Sequence, residues 1–222
     1  MKEPAMNPGF SGGAARSPLP GSGEGGGVHG PAGRRAVFLD RDGVINVSPG
    51  EGRFVLKWAD FRFADGVEEA LKKLKEAGFL LVVVTNQSGV GRGLMTEADL
   101  MEINIRMADR LAGRGASLDG VYYCPHHPDA GCNCRKPQPT LLFRAAADFG
   151  IDLASSWMVG DSARDIEMGR SAGCRTVLCL ADAPVGNREL KPRPDAVARS
   201  LREAADIIIA DAAGRRGERG GA

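Results

Sequence analysis

Three polar segments carry residue types suited to phosphate chemistry, and each follows an apolar run. Asp40-Arg41-Asp42-Gly43 follows Ala36-Val37-Phe38-Leu39. Two carboxylates two residues apart at a strand end can divide labour. One attacks an electrophile while the other shuttles the proton. Thr85-Asn86-Gln87-Ser88-Gly89 follows Leu80–Val84. A hydroxyl, backbone N–H groups and glycines that permit close approach suit a phosphate. Gly160-Asp161-Ser162-Ala163-Arg164-Asp165 follows Trp157-Met158-Val159 and opens a helix. Asp161 and Asp165 offer hard oxygen ligands of the kind Mg²⁺ takes. Lys136 adds a point charge suited to a transferring phosphoryl group. Taken singly, each segment also reads as a common turn or an acidic helix start.

A second cluster carries different chemistry. Three of the five cysteines and two of the three histidines fall between Cys124 and Cys134. Cys124, His126, Cys132 and Cys134 form a C-x-H…C-x-C set, three thiolates and one imidazole for tetrahedral Zn²⁺. A closed set of four leaves no open position, so this zinc is structural and does not activate water. His127 is the spare histidine. Arg135, Lys136 and Pro137 follow directly, so folding the zinc loop aims Arg135 and Lys136 at a substrate. Clustered cysteines point to a metal in a reducing compartment rather than to a disulfide scaffold. Cys174 and Cys179 sit in apolar surroundings and read as core residues.

The elements that position these groups alternate. Ala36–Asp40 is a buried strand. Asp65 reads as the N-cap of a helix that places Val67, Ala70, Leu71 and Leu74 on one face, with Gly78 closing it. Leu80–Thr85 is the second strand, apolar throughout, as a strand covered on both faces should be. Thr96 and Asp99 resemble a capping box before a helix carrying Leu100, Ile103, Met107 and Leu111. Val121–Cys124, Trp157–Asp161, Arg175–Leu180 and Ala196–Arg199 complete the strands. Helices over Thr140–Phe149 and around Ile166–Ala172, and one opened by a Ser200-x-x-Glu203 capping box, complete the helices. This order predicts an α/β, Rossmann-like parallel sheet with helices on both faces and no large cap domain. In such sheets ligands bind beyond the carboxyl ends of the strands. Asp40, Thr85 and Asp161 all end strands, so three strands deliver chemistry to one edge.

Composition bounds the rest. The chain has 222 residues with 29 Lys plus Arg and 28 Asp plus Glu, a net charge of +1. That balance supplies no field for nucleic acid or an anionic membrane. The longest fully apolar run, Phe79–Val84, is far too short to cross a bilayer. No basic-then-apolar segment of a secretory signal opens the chain, and the expectation is a cytoplasmic protein; a monomer is expected. Ten of 31 Gly and five of 13 Pro lie in residues 1–33. The expectation is a disordered leader over 1–34, a folded domain over 35–210 and a disordered tail over 211–222.

Asp40-x-Asp42, Thr85, Lys136 and Gly160-Asp161-x-x-x-Asp165, in this order and on these elements, resemble the four motifs of the haloacid dehalogenase-like phosphatases. The Cys/His set narrows the resemblance to the zinc-containing branch that holds the D-glycero-D-manno-heptose 1,7-bisphosphate 7-phosphatases and the histidinol-phosphate phosphatases. Asp40-Arg41-Asp42-Gly43-Val44-Ile45-Asn46, the stretch Thr85–Gly93 and the stretch Tyr122–Pro128 lean to the heptose side. The resemblance spans roughly Val37 to Leu180. It implies that Asp40 is the nucleophile forming an aspartyl-phosphate and Asp42 the general acid and base. It implies Mg²⁺ held by Asp40, the Asp42 carbonyl and Asp161, with Asp165 in support. Thr85 and Lys136 then stabilise the phosphoryl oxygens, and Asn86, Gln87, Ser88, Arg135 and Arg53 contact a small phosphorylated substrate. Two features depart from the heptose pattern. Five residues separate His126 from Cys132, a short loop also seen on the histidinol side. Arg53-Phe54-Val55 stands where the family has Gly-Tyr-Val. The alternatives are histidinol phosphate as substrate, or a zinc-stabilised binding scaffold without turnover. The clustered carboxylates and Lys136 speak against the scaffold. Few aromatics, 5%, and neutral charge speak against a polynucleotide substrate.

Overall fold

Apolar side chains alternate between the two faces of every central strand, as the period of two requires. The computed structural model describes residues 15–17, 19, 33–180 and 191–219. In chain order its regular elements are β1 (Ala15–Ser17), β2 (Ala36–Leu39), α1 (Val67–Glu76), β3 (Leu80–Asn86), α2 (Ser88–Gly91) and α3 (Glu97–Ala112). They continue as β4 (Gly120–Cys124), α4 (Thr140–Phe149), β5 (Trp157–Gly160), α5 (Ala163–Ser171), β6 (Arg175–Cys179), β7 (Ala196–Ala198) and α6 (Leu201–Arg219). The sheet order is β1-β4-β3-β2-β5-β6-β7. All pairs are parallel except β1 with β4.

One face packs Val37, Leu39, Leu81, Val83, Val121 and Val159 against Leu71 and Leu74 of α1, Ile103 and Met107 of α3, and Ile208 of α6. The other packs Phe38, Val82, Val84 and Met158 against Leu141, Leu142 and Ala145 of α4 and Met168 of α5. The expected three-layer arrangement is therefore present. From β2 the chain builds one half of the sheet outward through β3 and β4. It then returns to β5, beside β2, and builds the other half. Strand order reverses between β2 and β5, which places the ligand crevice at their carboxyl ends. Asp40 and Asp161 stand there. No domain interrupts the described residues after β2. Residues 41–66 form a loop anchored by Val55 and Phe61, both buried, and by stacking of Trp58 on Phe61 at 5.1 Å.

Several expectations need correction. Asp65 is exposed and does not cap α1; Gly66 does, in a left-handed conformation at φ 72° that an L side chain rarely adopts. At α6, the Ser200 hydroxyl accepts from the Glu203 N–H, but the Glu203 carboxylate accepts from Arg199 rather than closing the box on Ser200. The tail does not begin at 211: α6 runs to Arg219, with Ala212 buried. The Thr96/Asp99 capping box is complete.

The leader also needs correction where it is described. Residues 1–14, 18 and 20–32 lie outside the described residues, but Ala15–Ser17 adds an antiparallel edge strand beside β4. Ser17 and Leu19 are buried. The Arg16 guanidinium lies 5.2 Å from the Phe149 ring centre. Asn104, fully buried on α3, donates to the Ser17 hydroxyl at 2.9 Å. Three residues flanked by Gly and Pro carry too little pattern to reveal such a strand. Deleting residues 1–19 is expected to lower Tm and to leave the cavity at the carboxyl ends of the strands intact, because β1 does not line it. Orphaning a buried polar group costs about 1–3 kcal/mol. Each kcal/mol moves Tm by about 2–4 °C in a chain of this size. A thermal melt of the truncated protein checks this, and an unchanged Tm would mean that β1 contributes nothing.

Candidate active site

Burial at the sheet edge forces the charged groups onto one another. Asp40 follows β2, and its Oδ1 accepts the Arg41 N–H at 2.7 Å. The Lys136 ammonium, 4% exposed as a residue, sits 2.8 Å from Asp40 Oδ1 and 2.6 Å from Asp165 Oδ1. It also donates to the Val84 carbonyl at 3.2 Å. Two carboxylates and one carbonyl thus surround the ammonium. Burial alone would lower the Lys136 pKa, but Asp165 and Asp40 raise it above the ordinary lysine value. Burial pushes the Asp40 carboxyl up to about 7, against the pull of Lys136 and with the push of Asp165 and Asp161. Burial and then Asp165 push Asp161 up to about 6. The site therefore holds more negative charge than Lys136 alone offsets.

Asp165 is the least exposed of these acids. Its second oxygen accepts from the Ser162 hydroxyl at 2.5 Å and the Ser162 N–H at 3.1 Å, capping α5. One side chain thus fixes both the helix start and Lys136. Glycines make the close approach possible. A Cβ at Gly160 would strike the Asp165 side chain, and one at Gly43, which has φ 89°, would strike Asp161 Oδ2. Only a residue without a side chain lets the β2 and β5 loops meet here.

Asp42 is held by three neighbours. Arg41 reaches both carboxylate oxygens at 3.1 Å, Asn46 donates to Oδ1 at 2.9 Å, and Gln87 donates to Oδ2 at 2.9 Å. Burial would raise its pKa, but the Arg41 charge, then Gln87 and Asn46, hold it below the usual carboxylate value. Arg41 and Asn46 were not singled out from the sequence. Both are wholly buried. An arginine wedged between two acids at the end of a buried strand is the signal that could have found the first.

Cys124, His126, Cys132 and Cys134 lie together. The Cys124 and Cys132 sulfurs are 3.6 Å apart, and His126 Nδ1 lies 3.5 Å from Cys124 Sγ and 3.2 Å from Cys134 Sγ. All four ligand atoms lie within 4.8 Å of one another. His127 stays out of the set and accepts from the Asp129 N–H. The loop is tied to the segment after β3 at several points. Gln87 N–H donates to the Cys124 carbonyl and Gly91 N–H to the Pro125 carbonyl, both at 2.8 Å. Lys136 N–H donates to Asn86 Oδ1 at 3.0 Å.

A cavity of about 460 Å³ opens over this centre. Its walls include Asp40, Asp42, Thr85, Asn86, Ser88, Lys136 and Asp161, with Arg53, Arg135 and Arg164. Apart from the Cys/His set, every expected site residue lines this cavity except Gln87 and Asp165. Gln87 is not in the wall; its amide bridges Asp42 and the Thr85 hydroxyl from behind. Asp165 lies beneath the wall, against Lys136. Arg164 was not among the expected site residues.

A family model described as "HAD-hyrolase-like" matches residues 133–204. The chain is 42% identical over 173 residues to the D-glycero-beta-D-manno-heptose-1,7-bisphosphate 7-phosphatase of Photorhabdus laumondii, across 75% of this chain and 90% of that one. It is equally 42% identical, over 180 residues, to the enzyme of the same name from Escherichia coli K12, across 78% of this chain and 93% of that one. The chain belongs to the haloacid dehalogenase-like phosphatases. A crystal structure of D,D-heptose 1,7-bisphosphate phosphatase from B. bronchiseptica, complexed with magnesium and phosphate, superposes with a TM-score of 0.71. It is 34% identical and matches 80% of this chain and 99% of that one. This haloacid dehalogenase-like phosphatase is thus a phosphoric monoester hydrolase. No helix among its described residues is long and apolar enough to cross a membrane.

Proposed function

We propose that this phosphatase removes the 7-phosphate of D-glycero-D-manno-heptose 1,7-bisphosphate through an aspartyl-phosphate on Asp40. The observation that carries the reading is the division of cations in one cavity. Lys136 is committed to the acidic centre. Arg135 and Arg53 lie in the same wall. Arg135 Nη1 is a buried donor without a hydrogen-bond partner among the described residues, as suits a group that waits for an anion. One phosphoryl group belongs at the acids and Lys136, and a second at the guanidiniums.

The donor set fits Mg²⁺. Asp40, Asp161 and Asp165 present carboxylate oxygens within 4.8 Å of one another, all hard ligands. Asp40, the Asp42 carbonyl and Asp161 would hold the ion, with Asp165 in support. The chemistry that Mg²⁺ supplies when bound is neutralisation of the phosphoryl oxygens. The sulfur and nitrogen spacings of Cys124, His126, Cys132 and Cys134 fit Zn²⁺, whose ligand bonds of about 2.0–2.3 Å set tetrahedral edges of this length. Such a thiolate set suits a reducing cytoplasm, and the proposed working form is a monomer.

The chain's own groups then divide the work. Arg41 N–H and Lys136 hold Asp40 Oδ1, leaving the other oxygen to attack phosphorus. A P–O bond forms to Asp40 as the ester P–O bond breaks. Asp42 gives its proton to the departing alkoxide. It then takes a proton from the water that attacks the aspartyl-phosphate, releasing inorganic phosphate and restoring Asp40. The network of Arg41, Asn46 and Gln87 favours charged Asp42, which suits this second half. Thr85 and Lys136 support the phosphoryl oxygens from the cavity wall.

A second reading, histidinol phosphate as substrate, rests on the short spacing between His126 and Cys132. Steady-state kcat/KM across heptose 1,7-bisphosphate, histidinol phosphate, nucleotides and simple sugar phosphates separates the two. The heptose bisphosphate should give the highest value. A higher value on histidinol phosphate would replace the first reading with the second.

A further inference from the structure

We propose that Arg164 is a further specificity-determining residue, whose guanidinium holds the substrate phosphate that the reaction does not transfer. The inference rests on the bisphosphate reading above. Arg164 lines the catalytic cavity yet is an exposed residue on α5, in the turn that follows Asp161. Neither folding nor pairing accounts for it there. It is the second residue of the helix, where the positive end of the helix dipole disfavours a cation. Its neighbour Asp165 supplies the acidic first turn and turns inward to Ser162 and Lys136. Among the described residues no carboxylate or hydrogen-bond acceptor pairs with the Arg164 side chain. It lines a cavity whose buried lysine lies at the acids Asp40 and Asp165.

A heptose bisphosphate brings two dianionic groups at opposite ends of a sugar. The acids and Lys136 serve the group that reacts. The other needs its own counter-charge, and a guanidinium answers a phosphate with paired N–H donors in a fixed fork. Arg164 supplies that fork from α5, while Arg53 and Arg135 come from two other segments of the wall. Glu51 lines the same cavity and offers an acceptor for a sugar hydroxyl. A monophosphate of the same sugar would leave Arg164 with nothing to hold.

The test compares heptose 1,7-bisphosphate with heptose 7-phosphate, which lacks the anomeric phosphate, using the full chain and its Arg164→Ala, Arg164→Lys and Arg164→Glu variants. Arg164→Ala should lower kcat/KM on the bisphosphate about tenfold more than on the monophosphate, almost entirely through KM. Arg164→Glu should widen that gap, and Arg164→Lys should narrow it by keeping the charge without the fork. Melting curves should coincide, because the side chain supports nothing in the fold. Equal losses on both substrates, in an unmutated enzyme that prefers the bisphosphate, would overturn this assignment alone. An unmutated enzyme with no preference for the bisphosphate would overturn both this assignment and the reading it rests on.

Discussion

Asp40→Asn is expected to fold like the parent protein and to hydrolyse substrate slower by roughly 10⁴-fold or more, the scale seen when a covalent nucleophile is removed. The amide is nearly isosteric with the carboxylate, and its oxygen can still accept the Arg41 N–H. It is a far poorer nucleophile toward phosphorus. Lys136 keeps Asp165 and the Val84 carbonyl as partners, so the buried ammonium is not stranded. Asp40 is also one of several acids crowded together, and its loss relieves repulsion on Asp161 and Asp165. Tm should therefore hold or rise in protein free of metal. Circular dichroism, a thermal melt and a sensitive phosphate-release assay check the three expectations together. Hydrolysis at the parent's rate by pure Asp40→Asn protein would sink the covalent mechanism.

Cys134→Ala carries the largest expected effect on stability. Cys134 is buried, and the loop it closes leads in two residues to Lys136. A structural zinc contributes binding energy directly to folding, about 10–16 kcal/mol in isolated peptides. Even a fraction of that, at about 2–4 °C per kcal/mol, means a fall in Tm of about 10 °C or more. Activity should fall as well, because the loop's ends hold Gln87 and Lys136 through the bonds to Cys124 and Asn86. Elemental analysis should find about one zinc per chain in the parent and much less in the variant. A brief EDTA treatment should be reversed by Mg²⁺ alone, since it reaches the open carboxylates before the closed thiolate set. Purified parent protein without zinc, and an unchanged Tm in the variant, would remove the four-ligand assignment.

Most of the architecture was legible because burial leaves a strong period. The runs at β2, β3 and β5 are apolar on both faces, and Leu100, Ile103, Met107 and Leu111 mark one stripe of α3. Glycine did the same at Gly78 and Gly150, where helices end. The candidate site was legible for a different reason. Asp40, Thr85 and Asp161 each interrupt a run that apolar residues would otherwise continue. What escaped were features that depend on tertiary partners. β1 is three residues long and exists through its pairing with β4. Gly66 rather than Asp65 caps α1 because the chain enters that helix through a left-handed turn. Arg41 and Arg164 have ordinary local sequence; the fold buries the first and places the second in the cavity wall. The resemblance implies a substrate contact for Gln87, whereas its side chain is outside the cavity wall and donates to Asp42.

The central claim is that the phosphate at C7 leaves while the anomeric phosphate stays. Phosphorus NMR of D-glycero-D-manno-heptose 1,7-bisphosphate during turnover by the full chain with Mg²⁺ tests it in one spectrum. The primary-ester resonance should decay as inorganic phosphate grows, with the anomeric resonance retained at full intensity. Decay of the anomeric resonance first, or no change in either, would contradict it.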